Sequence, residues 1–200
     1  MIHGVTMASA IDDQELARRC AAGERAAQSQ LFRQYRTRVH ATLYRILGSN
    51  RDMEDLIQDS FLQVFHSIGS FRGEAKLATW INRVTARVAY NYISQRRATT
   101  VALEAVPEIE ADDPSAEQKA IAREAVRRLY LALDRVEAKQ RIAFTLHAID
   151  GRSLREVAEI TDSTVMATKT RVWRARKEID RRARKDPLLA HYLKSKEKGS

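Results

Sequence analysis

Basic side chains recur at helical spacing between residues 164 and 184. On a helix that advances about 100° per residue, one side carries Ala167, Thr170, Arg171, Arg174, Lys177 and Arg181. The opposite side carries Val165, Thr168, Val172, Ala175 and Ile179, and Trp173, between the two, is expected to pack inward. Arginine can bond guanine O6 and N7 in a fork or hold a phosphate. The pattern therefore predicts a DNA-reading helix, the alternative being a surface helix with solvated charges.

The segment before this helix supports the DNA-reading interpretation. Ser153 and Glu156 form the pattern of a capping box, which starts a helix that packs through Leu154, Val157, Ala158 and Ile160. Residues 161–164 then form a turn, in which Asp162 tolerates unusual backbone angles and Ser163 or Thr164 caps the following helix. A helix, a four-residue turn and a second helix make the geometry that seats the second helix in a DNA major groove.

A second group of side chains is acidic and hydrogen-bonding. Asp55, Gln58 and Asp59 share a helical face, next to Glu54 and opposite Ile57 and Phe61. Such a face suits a basic protein surface, although a solvated acidic face is the simpler interpretation of these residues alone. A metal site is a weaker alternative, because no histidine or further carboxylate cluster is visibly tied to them.

A third group combines arginine with aromatic residues. Arg83, Arg87, Tyr90, Ser94 and Arg97 fall on one face of a predicted helix, away from Ile81, Val84 and Val88. Bases stack on aromatic rings and phosphates pair with arginine, so this face suits single-stranded DNA. A family resemblance described below implies that the same interface includes Phe71, Arg72, Lys76 and Trp80. Phe71 and Trp80 also fit inward packing, and we expect core positions for both.

The elements that must position these residues are all helices. Apolar periodicity, caps and glycine stops predict helices near residues 12–22, 25–47, 52–68, 75–97, 119–135, 137–149, 153–161 and 164–184. Residues 98–118 are acidic, hold two of the three prolines and lack a sustained apolar period. The sequence thus predicts an all-α chain of two small helical domains, 12–97 and 119–184, joined by a flexible acidic linker, 98–118. The basic tail from Asp186 is expected to be partly disordered.

Composition limits the classes of function. The 200 residues carry a net charge of +9, which favours a polyanionic partner. The single cysteine, Cys20, excludes an intramolecular disulfide, and the five histidines are scattered without a cysteine cluster or a glycine-rich phosphate loop. No apolar run reaches the roughly 18 residues of a membrane span, and the first ten residues do not read as a secretory signal. We expect no membrane insertion, no metal, no cofactor and a cytoplasmic location.

The helix-turn-helix segment resembles a known family. Residues 156–176, EVAEITDSTVMATKTRVWRAR, are similar to the region-four motif of extracytoplasmic-function (ECF) sigma factors of the sigma-70 family, roughly EIAxxLGxxxGTVKSRLxRAR. The identities are Glu156, Ala158, Lys169, Arg171, Arg174, Ala175 and Arg176. Asp162, Met166 and Ala167 depart from the usual Gly, Gly and Thr, and the last two bear on promoter sequence more than on fold.

The first domain carries two further resemblances to the same family. Residues 52–65, DMEDLIQDSFLQVF, resemble the region-two helix AEDLxQxxFxxx[WF], and the resemblance implies that Glu54, Asp55, Gln58 and Asp59 bind polymerase. Residues 71–84, FRGEAKLATWINRV, resemble FxGx[AS]x[FL]xTWLxR[IV]. In the family the loop before this helix captures a base flipped from the minus-ten element. Val88 stands where Asn is frequent, so one polar contact is expected to be missing.

Together the motifs imply a promoter-specificity subunit without catalytic residues. The implied partners are core RNA polymerase, through its largest-subunit clamp and its flap, promoter DNA at the minus-thirty-five and minus-ten elements, and an anti-sigma factor. A stand-alone repressor or activator would explain residues 153–184 but leaves the Asp55 helix and the Trp80 segment without a role, and no dimerisation heptad is evident. An enzyme acting on nucleic acid is the remaining alternative.

Overall fold

Apolar periodicity and glycine stops shape the first half of the chain into helices. The computed structural model describes residues 3–98 and 114–197. The N-terminal domain comprises α1 (His3–Ala21), α2 (Arg25–Leu47), α3 (Met53–Ser67) and α4 (Leu77–Ala98), with a 3-10 turn, Ile68–Ser70, after α3. The predicted bounds of α2 are confirmed, and Gly48 ends it in the left-handed conformation with φ of 74°. A cluster of fully buried side chains joins α2, α3 and α4: Leu31, Leu43, Ile46, Ile57, Leu77 and Ile81.

Helix α1 starts earlier than expected, and α3 starts where expected but without a side-chain cap. Helix α1 begins at His3, so Asp12 and Asp13 lie inside it instead of capping it. Asp52 stands at the N-cap of α3 in the left-handed conformation, φ 54°, and its side chain makes no capping bond. Its carboxylate instead accepts a 2.7 Å hydrogen bond from the Tyr92 hydroxyl of α4. In both cases a residue distant in sequence donates a hydrogen bond to the carboxylate that the local sequence predicts to cap a helix.

The C-terminal domain comprises α5 (Pro114–Leu133), α6 (Ala138–Phe144), α7 (Leu154–Ile160), α8 (Val165–Ala183) and α9 (Pro187–Glu197). A π turn, Thr145–Ile149, continues α6. A second core, built by α5, α6, α8 and α9, includes Leu133, Phe144, Ile179 and Leu189. The described residues contain helices and turns without a strand, which confirms the all-α prediction.

Both segments expected to be irregular are partly helical. The predicted linker, 98–118, overlaps α5, because Pro114 starts that helix at a position where the missing amide hydrogen costs nothing; residues 99–113 lie outside the description. The tail expected to be partly disordered forms α9. Asp186 accepts a 3.1 Å hydrogen bond from the Leu189 amide, and the Leu189 side chain is buried in the second core. This buried contact offsets the polar composition of the tail.

The two domains pack against one another. Side chains of the C-terminal domain join the core of α2 and α4: Ala138, Ile142, Ala143 and Leu146 from α6 and its π turn, and Val157 and Ile160 from α7. No pattern in the sequence predicts this contact, since the helices of each domain have apolar stripes that can pack within that domain. As a result, the candidate binding residues of both domains lie on the surface of a single packed unit.

Candidate nucleic-acid interface

The helix-turn-helix forms as its sequence predicts. The Ser153 hydroxyl accepts a 3.2 Å bond from the Glu156 amide, and the Glu156 carboxylate accepts a 2.9 Å bond from the Ser153 amide. The Ser153 hydrogen bonds lower the pKa of Glu156 below its ordinary value. Asp162 takes the left-handed conformation in the turn, with φ of 48°. The Thr164 hydroxyl then caps α8 by accepting a 3.1 Å bond from the Ala167 amide. Both expected caps are therefore confirmed, and Thr164, not Ser163, caps α8.

Helix α8 separates a buried face from a basic face. Thr168, Ala175 and Ile179 are buried. Arg174, Lys177 and Arg181 are exposed, as is Thr170, while Ala167 and Arg171 are half-buried. Within the described part of the chain, no carboxylate lies in ion-pair distance of Arg171 or Arg174, whereas Arg181 pairs with Glu178 at 2.7 Å. The Lys177 ammonium lies 5.1 Å from the centre of the Trp173 ring. Two arginines of the predicted set thus retain their full hydrogen-bonding capacity.

Two packing assignments on α8 are wrong, and the exposed side chains form an apolar margin. Val165 is 47% exposed and Trp173 is 58% exposed, although both were expected to pack. The cause is that the second core covers the middle and end of α8, around Ala175, Ile179 and Ala183, and leaves its first turn bare. Met166, which the sequence marked only as a departure from the family pattern, is 72% exposed beside Val165. Apolar groups at this end can contact a thymine methyl group.

The loop before α4 combines packed aromatics with exposed cations. Phe71 and Trp80 meet edge to face, with ring centres 5.9 Å apart, and both are half-buried against the first core, as expected. Arg72 and Lys76 are exposed. Helix α1 and this loop enclose a cavity of about 260 Å³, lined in part by Gln14, Arg18, Phe71 and Arg72. The contribution of α1 was missed, because nothing in its sequence marks a contact with residues sixty positions away.

Two residues on the predicted single-strand face of α4, Arg83 and Tyr90, contact the C-terminal domain. The Arg83 guanidinium donates a 3.0 Å hydrogen bond to the Glu159 carbonyl of α7, and the Lys139 ammonium of α6 lies 5.7 Å from the centre of the Tyr90 ring. Arg87 is exposed. The Arg97 side chain lies outside the described residues. In this arrangement part of the predicted single-strand surface is therefore in contact with the protein itself.

The acidic side chains of α3 form an exposed stripe. Asp55, Gln58 and Asp59 are exposed, and Ile57 and Phe61 behind them are buried. Glu54 is also exposed, and the Arg36 guanidinium donates to it at 2.9 Å, which neutralises its charge.

The sequence analysis missed Leu62, which is 57% exposed and follows Asp55 by seven residues, so it lies on the same stripe. An apolar group bordered by carboxylates suits a protein partner better than solvent.

The described residues hold no group of three or more histidine, cysteine, aspartate or glutamate side chains arranged to bind a metal. None of the helices described here is long and apolar enough to cross a membrane.

Family comparisons agree with the motifs. A family model described as Sigma-70 region 2 matches residues 31–99, and one described as Sigma-70, region 4 matches residues 126–179. The ECF RNA polymerase sigma-E factor of Haemophilus influenzae is 29% identical over 194 residues, covering 92% of this chain and 100% of that protein. The sigma-E factor of Escherichia coli K12 is 27% identical over 192 residues, covering 92% of this chain and 99% of its own.

Two solved structures share the fold. CnrH in complex with the cytosolic domain of CnrY matches with a TM-score of 0.56 at 22% identity, over 87% of this chain and 98% of that one. The sigma factor RpoE in complex with the anti-sigma factor NepR from Bartonella quintana matches with a TM-score of 0.52 at 22% identity, over 75% of this chain and 92% of that one.

Proposed function

The chain belongs to the sigma-70 family of RNA polymerase sigma factors, of the ECF type, and we propose on this premise that faces of α3, α4 and α8 bind polymerase and promoter DNA. As a sigma factor it binds core RNA polymerase and directs promoter-specific transcription initiation. We assign residues 12–97 to region two and residues 119–184 to region four. The observation that carries the proposal is the basic face of α8, where Arg171 and Arg174 have no carboxylate partner among the described residues.

Region four reads the minus-thirty-five element in this proposal. Helix α8 follows a capped helix and a tight turn, the geometry that places a second helix in the major groove. Ala167, Thr170, Arg171 and Arg174 lie in its first half and face base edges, while Lys177 and Arg181 follow and hold phosphates. The exposed Val165 and Met166 add methyl contacts at the start of the helix.

Region two binds the minus-ten element and the polymerase on separate faces. Arg72, Lys76, Arg83, Arg87, Tyr90 and Arg97 supply cations and a ring for a single strand, and Phe71 with Trp80 support the loop. On α3, Asp55, Gln58 and Asp59, with Glu54 at the margin, meet the basic clamp of the largest subunit. In this proposal the polymerase flap is bound by the second domain.

The remaining assignments follow from the family. We propose that the chain catalyses no reaction of its own, acts in the cytoplasm, and is held inactive by an anti-sigma factor. RpoE of Bartonella quintana was solved with such a partner, which makes this class of protein the first to test.

Run-off transcription with purified core polymerase tests the function. Genomic fragments are transcribed with and without the protein, and the new transcript ends are mapped. We expect defined starts that appear only when the protein is added, and their loss when Arg171 and Arg174 are both changed to Ala. Tight sequence-specific binding by the isolated chain, with no new transcripts from any fragment, would establish the repressor alternative instead.

A further inference from the structure

We propose that Asp13, in the N-terminal helix, is a positioning residue for the minus-ten loop. The inference rests on the proposed role of that loop. Asp13 lies outside both segments that match the family models, residues 31–99 and 126–179. One carboxylate oxygen accepts a 3.2 Å hydrogen bond from the Leu77 amide, and the other accepts a 3.4 Å bond from the Tyr35 hydroxyl. Asp13 therefore joins α1, α2 and α4 at a single side chain.

The start of α4 needs a partner from elsewhere. The first amides of a helix have no partner within it, and Ser, Thr, Asp or Asn usually provides one from the residue before. Lys76 occupies that position here, and an ammonium group accepts no hydrogen bond. Asp13 supplies the missing acceptor from 64 residues upstream, and its negative charge also suits the positive end of the helix dipole.

Neighbouring residues fix the position of Asp13 relative to the loop. Burial raises the pKa of Tyr35 to about 12, with the nearby Asp13 charge as a further cause, so the hydroxyl donates throughout the neutral range. Gly73 in the loop has φ of 75°, and a Cβ atom there would lie 1.8 Å from the Gln14 side-chain nitrogen. Adjacent residues of α1 thus contact the loop at Gly73 and at the start of α4. The exposed Arg72 and Lys76 adjoin the two positions, Gly73 and Leu77, that these contacts fix.

The test measures base preference, which a purely structural role would not change selectively. Holoenzyme containing wild-type protein, Asp13→Ala or Asp13→Asn transcribes two template libraries, one randomised at the minus-ten element and one at the minus-thirty-five element. Loss of a helix cap is worth about 0.5–2 kcal/mol, so we expect Asp13→Ala to reduce minus-ten discrimination about two- to thirtyfold. Preference at minus-thirty-five should stay unchanged. Asparagine keeps an acceptor for Leu77 and should restore most of the discrimination.

Controls separate this inference from the proposed function and from unfolding. Glu15→Ala changes an exposed carboxylate of the same helix, which pairs only with nearby Arg18 at 2.7 Å among the described residues, and should behave as wild type. Tyr35→Phe keeps the ring but removes one donor to Asp13, and should give a smaller loss in the same direction. If wild-type holoenzyme shows no minus-ten preference, the proposed role of the loop fails. If it does, and Asp13→Ala retains that preference or loses both preferences equally, the positioning role is overturned.

A separate set of contacts, between the domains, supports a second inference. The last three carbonyls of α2 all accept hydrogen bonds from side chains of the C-terminal domain. Tyr130 donates to the Arg45 carbonyl at 2.6 Å, and Arg141 donates to the Ile46 and Leu47 carbonyls at 2.9 Å each. Arg141 is 3% exposed and also pairs with Asp134. Arg45 pairs with Asp150 at 2.8 Å. The carbonyl end of α2 is therefore a docking point built from specific, directional bonds.

We infer that this docking competes with promoter binding. In the docked arrangement the Arg83 guanidinium donates a hydrogen bond to the Glu159 carbonyl, and the Lys139 ammonium covers a face of the Tyr90 ring. A base cannot stack on a ring face that an ammonium group covers. An N–H group that already donates to a carbonyl is not available to a phosphate. Undocking of the C-terminal domain would free this Arg83 donor and this face of Tyr90 for a single strand, so Arg141 and Tyr130 hold a closed state of the free protein.

Energy transfer and strand binding test the closed state together. Donor and acceptor dyes are placed at Ser29→Cys and Lys185→Cys, both exposed, with Cys20 buried. Arg141→Met and Tyr130→Phe should each lower the transfer efficiency in the free protein. Since a net hydrogen bond is worth about 1 kcal/mol, each lost bond should tighten binding of a single-stranded minus-ten oligonucleotide by about fivefold. Arg135→Met, at an exposed neighbour, is the control.

The outcomes are distinct. Unchanged energy transfer in a variant that still melts cooperatively would show that these bonds do not hold the domains together. Opened variants with unchanged strand affinity would show that docking does not compete with DNA. If neither wild type nor variants bind the strand, the proposed minus-ten role fails first.

Discussion

Cationic residues on α8 differ in whether a carboxylate neutralises them. Arg181 and Arg182 both donate to Glu178, at 2.7 and 2.9 Å, and so have less to gain from a phosphate. Arg171 and Arg174, about two to three turns earlier, have no such partner within the described residues. A guanidinium without a carboxylate partner can donate hydrogen bonds to DNA without first breaking an ion pair. The distinction assigns base recognition to the first half of the helix.

The Arg171→Ala and Arg174→Ala variants should each weaken promoter use. If the arginine is bidentate to guanine, we expect a loss of about 1–3 kcal/mol and relaxed preference at one base position. If it holds a phosphate, affinity should fall evenly across sequences and the salt slope should decrease by about one. Transcription from a library of randomised minus-thirty-five elements separates the two. Arg181→Ala is the matched control and should act only in the second way; unaltered promoter choice in both test variants would contradict the assignment.

Charge reversal on α3 should abolish polymerase binding while the fold persists. Asp55 is exposed, so Asp55→Arg should change the free energy of unfolding by less than about 0.5 kcal/mol, yet repel a basic clamp. Gln58→Ala combined with Asp59→Lys should behave alike. Pull-down with core polymerase and a thermal melt decide it, with Glu15→Arg on α1 as the control for added charge. A folded Asp55→Arg variant that still binds polymerase would refute the clamp assignment.

Local sequence predicts those residues whose environment is set by the nearest turn. The Ser153–Glu156 box, the left-handed Asp162 and the Thr164 cap all depend on neighbours within four positions, and all are confirmed. Asp13 and Asp52 fail because their partners, Leu77 and Tyr92, are distant in sequence. Trp173 fails for a related reason: periodicity gives its angle around α8, but not how far along the helix the core extends.

At the scale of elements, apolar periodicity gave every helix from α2 to α8 and missed the last one. Helix α9 begins with the largely apolar run PLLAHYL inside a basic tail, and its capping carboxylate, Asp186, also accepts from Arg128 of α5 at 2.8 Å. These bonds hold Leu189 in the core shared with α5 and α8. Helix α9 therefore belongs to the second domain, although the region-four match ends at residue 179. A buried leucine in a charged segment was too weak a periodic signal to predict this.

Removing the Leu189 side chain should destabilise the second domain. It is 2% exposed, and truncating a buried leucine to alanine costs about 2–5 kcal/mol. We expect Leu189→Ala to lower the free energy of unfolding by that amount, measured from urea unfolding curves. His191→Ala, at an exposed position on the same helix, should leave it unchanged. Equal stability of Leu189→Ala and wild type would mean that α9 does not contribute to the core in solution.

Glutamates on α5 and α8 should make stability depend on acid pH. Hydrogen bonds from Arg127 and Arg128 lower the pKa of Glu124 to about 2, and Arg181 with Arg182 does the same for Glu178. Because the folded pKa lies below the ordinary value of 4.5, these pairs stabilise the fold above about pH 4.5 and cease to do so as pH falls toward 2. Thermal melts from pH 6 to 2 should therefore fall less steeply for Glu124→Gln with Glu178→Gln than for wild type. Parallel curves would show that both glutamates titrate normally.

The whole molecule joins surfaces of opposite charge. Helix α3 presents an acidic stripe, whereas α4 carries four arginines and no acidic residue, and α8 carries seven basic and two acidic residues. In the closed arrangement the contacts among α2, α4, α6 and α7 fix the distance between α4 and α8. Promoter elements impose their own spacing, which the free protein is not shaped to match. Core polymerase, which binds both domains in the proposed function, can hold α4 and α8 at the spacing of the promoter elements.

We therefore expect the free protein to bind double-stranded promoter DNA weakly and with little sequence preference. Only α8 is available to the duplex while Arg83 and Tyr90 contact the other domain, and a single helix makes few phosphate contacts. Each contact adds about 0.9 to the slope of log K against log salt, so affinity at physiological salt should be low with a shallow slope. Gel shifts of promoter and scrambled duplexes, with and without core polymerase, measure this. Specificity should appear with polymerase and disappear in the Asp55→Arg variant, which retains α8 but cannot be placed by the clamp. Tight, promoter-specific binding by the free chain would mean that its two domains already match the promoter spacing.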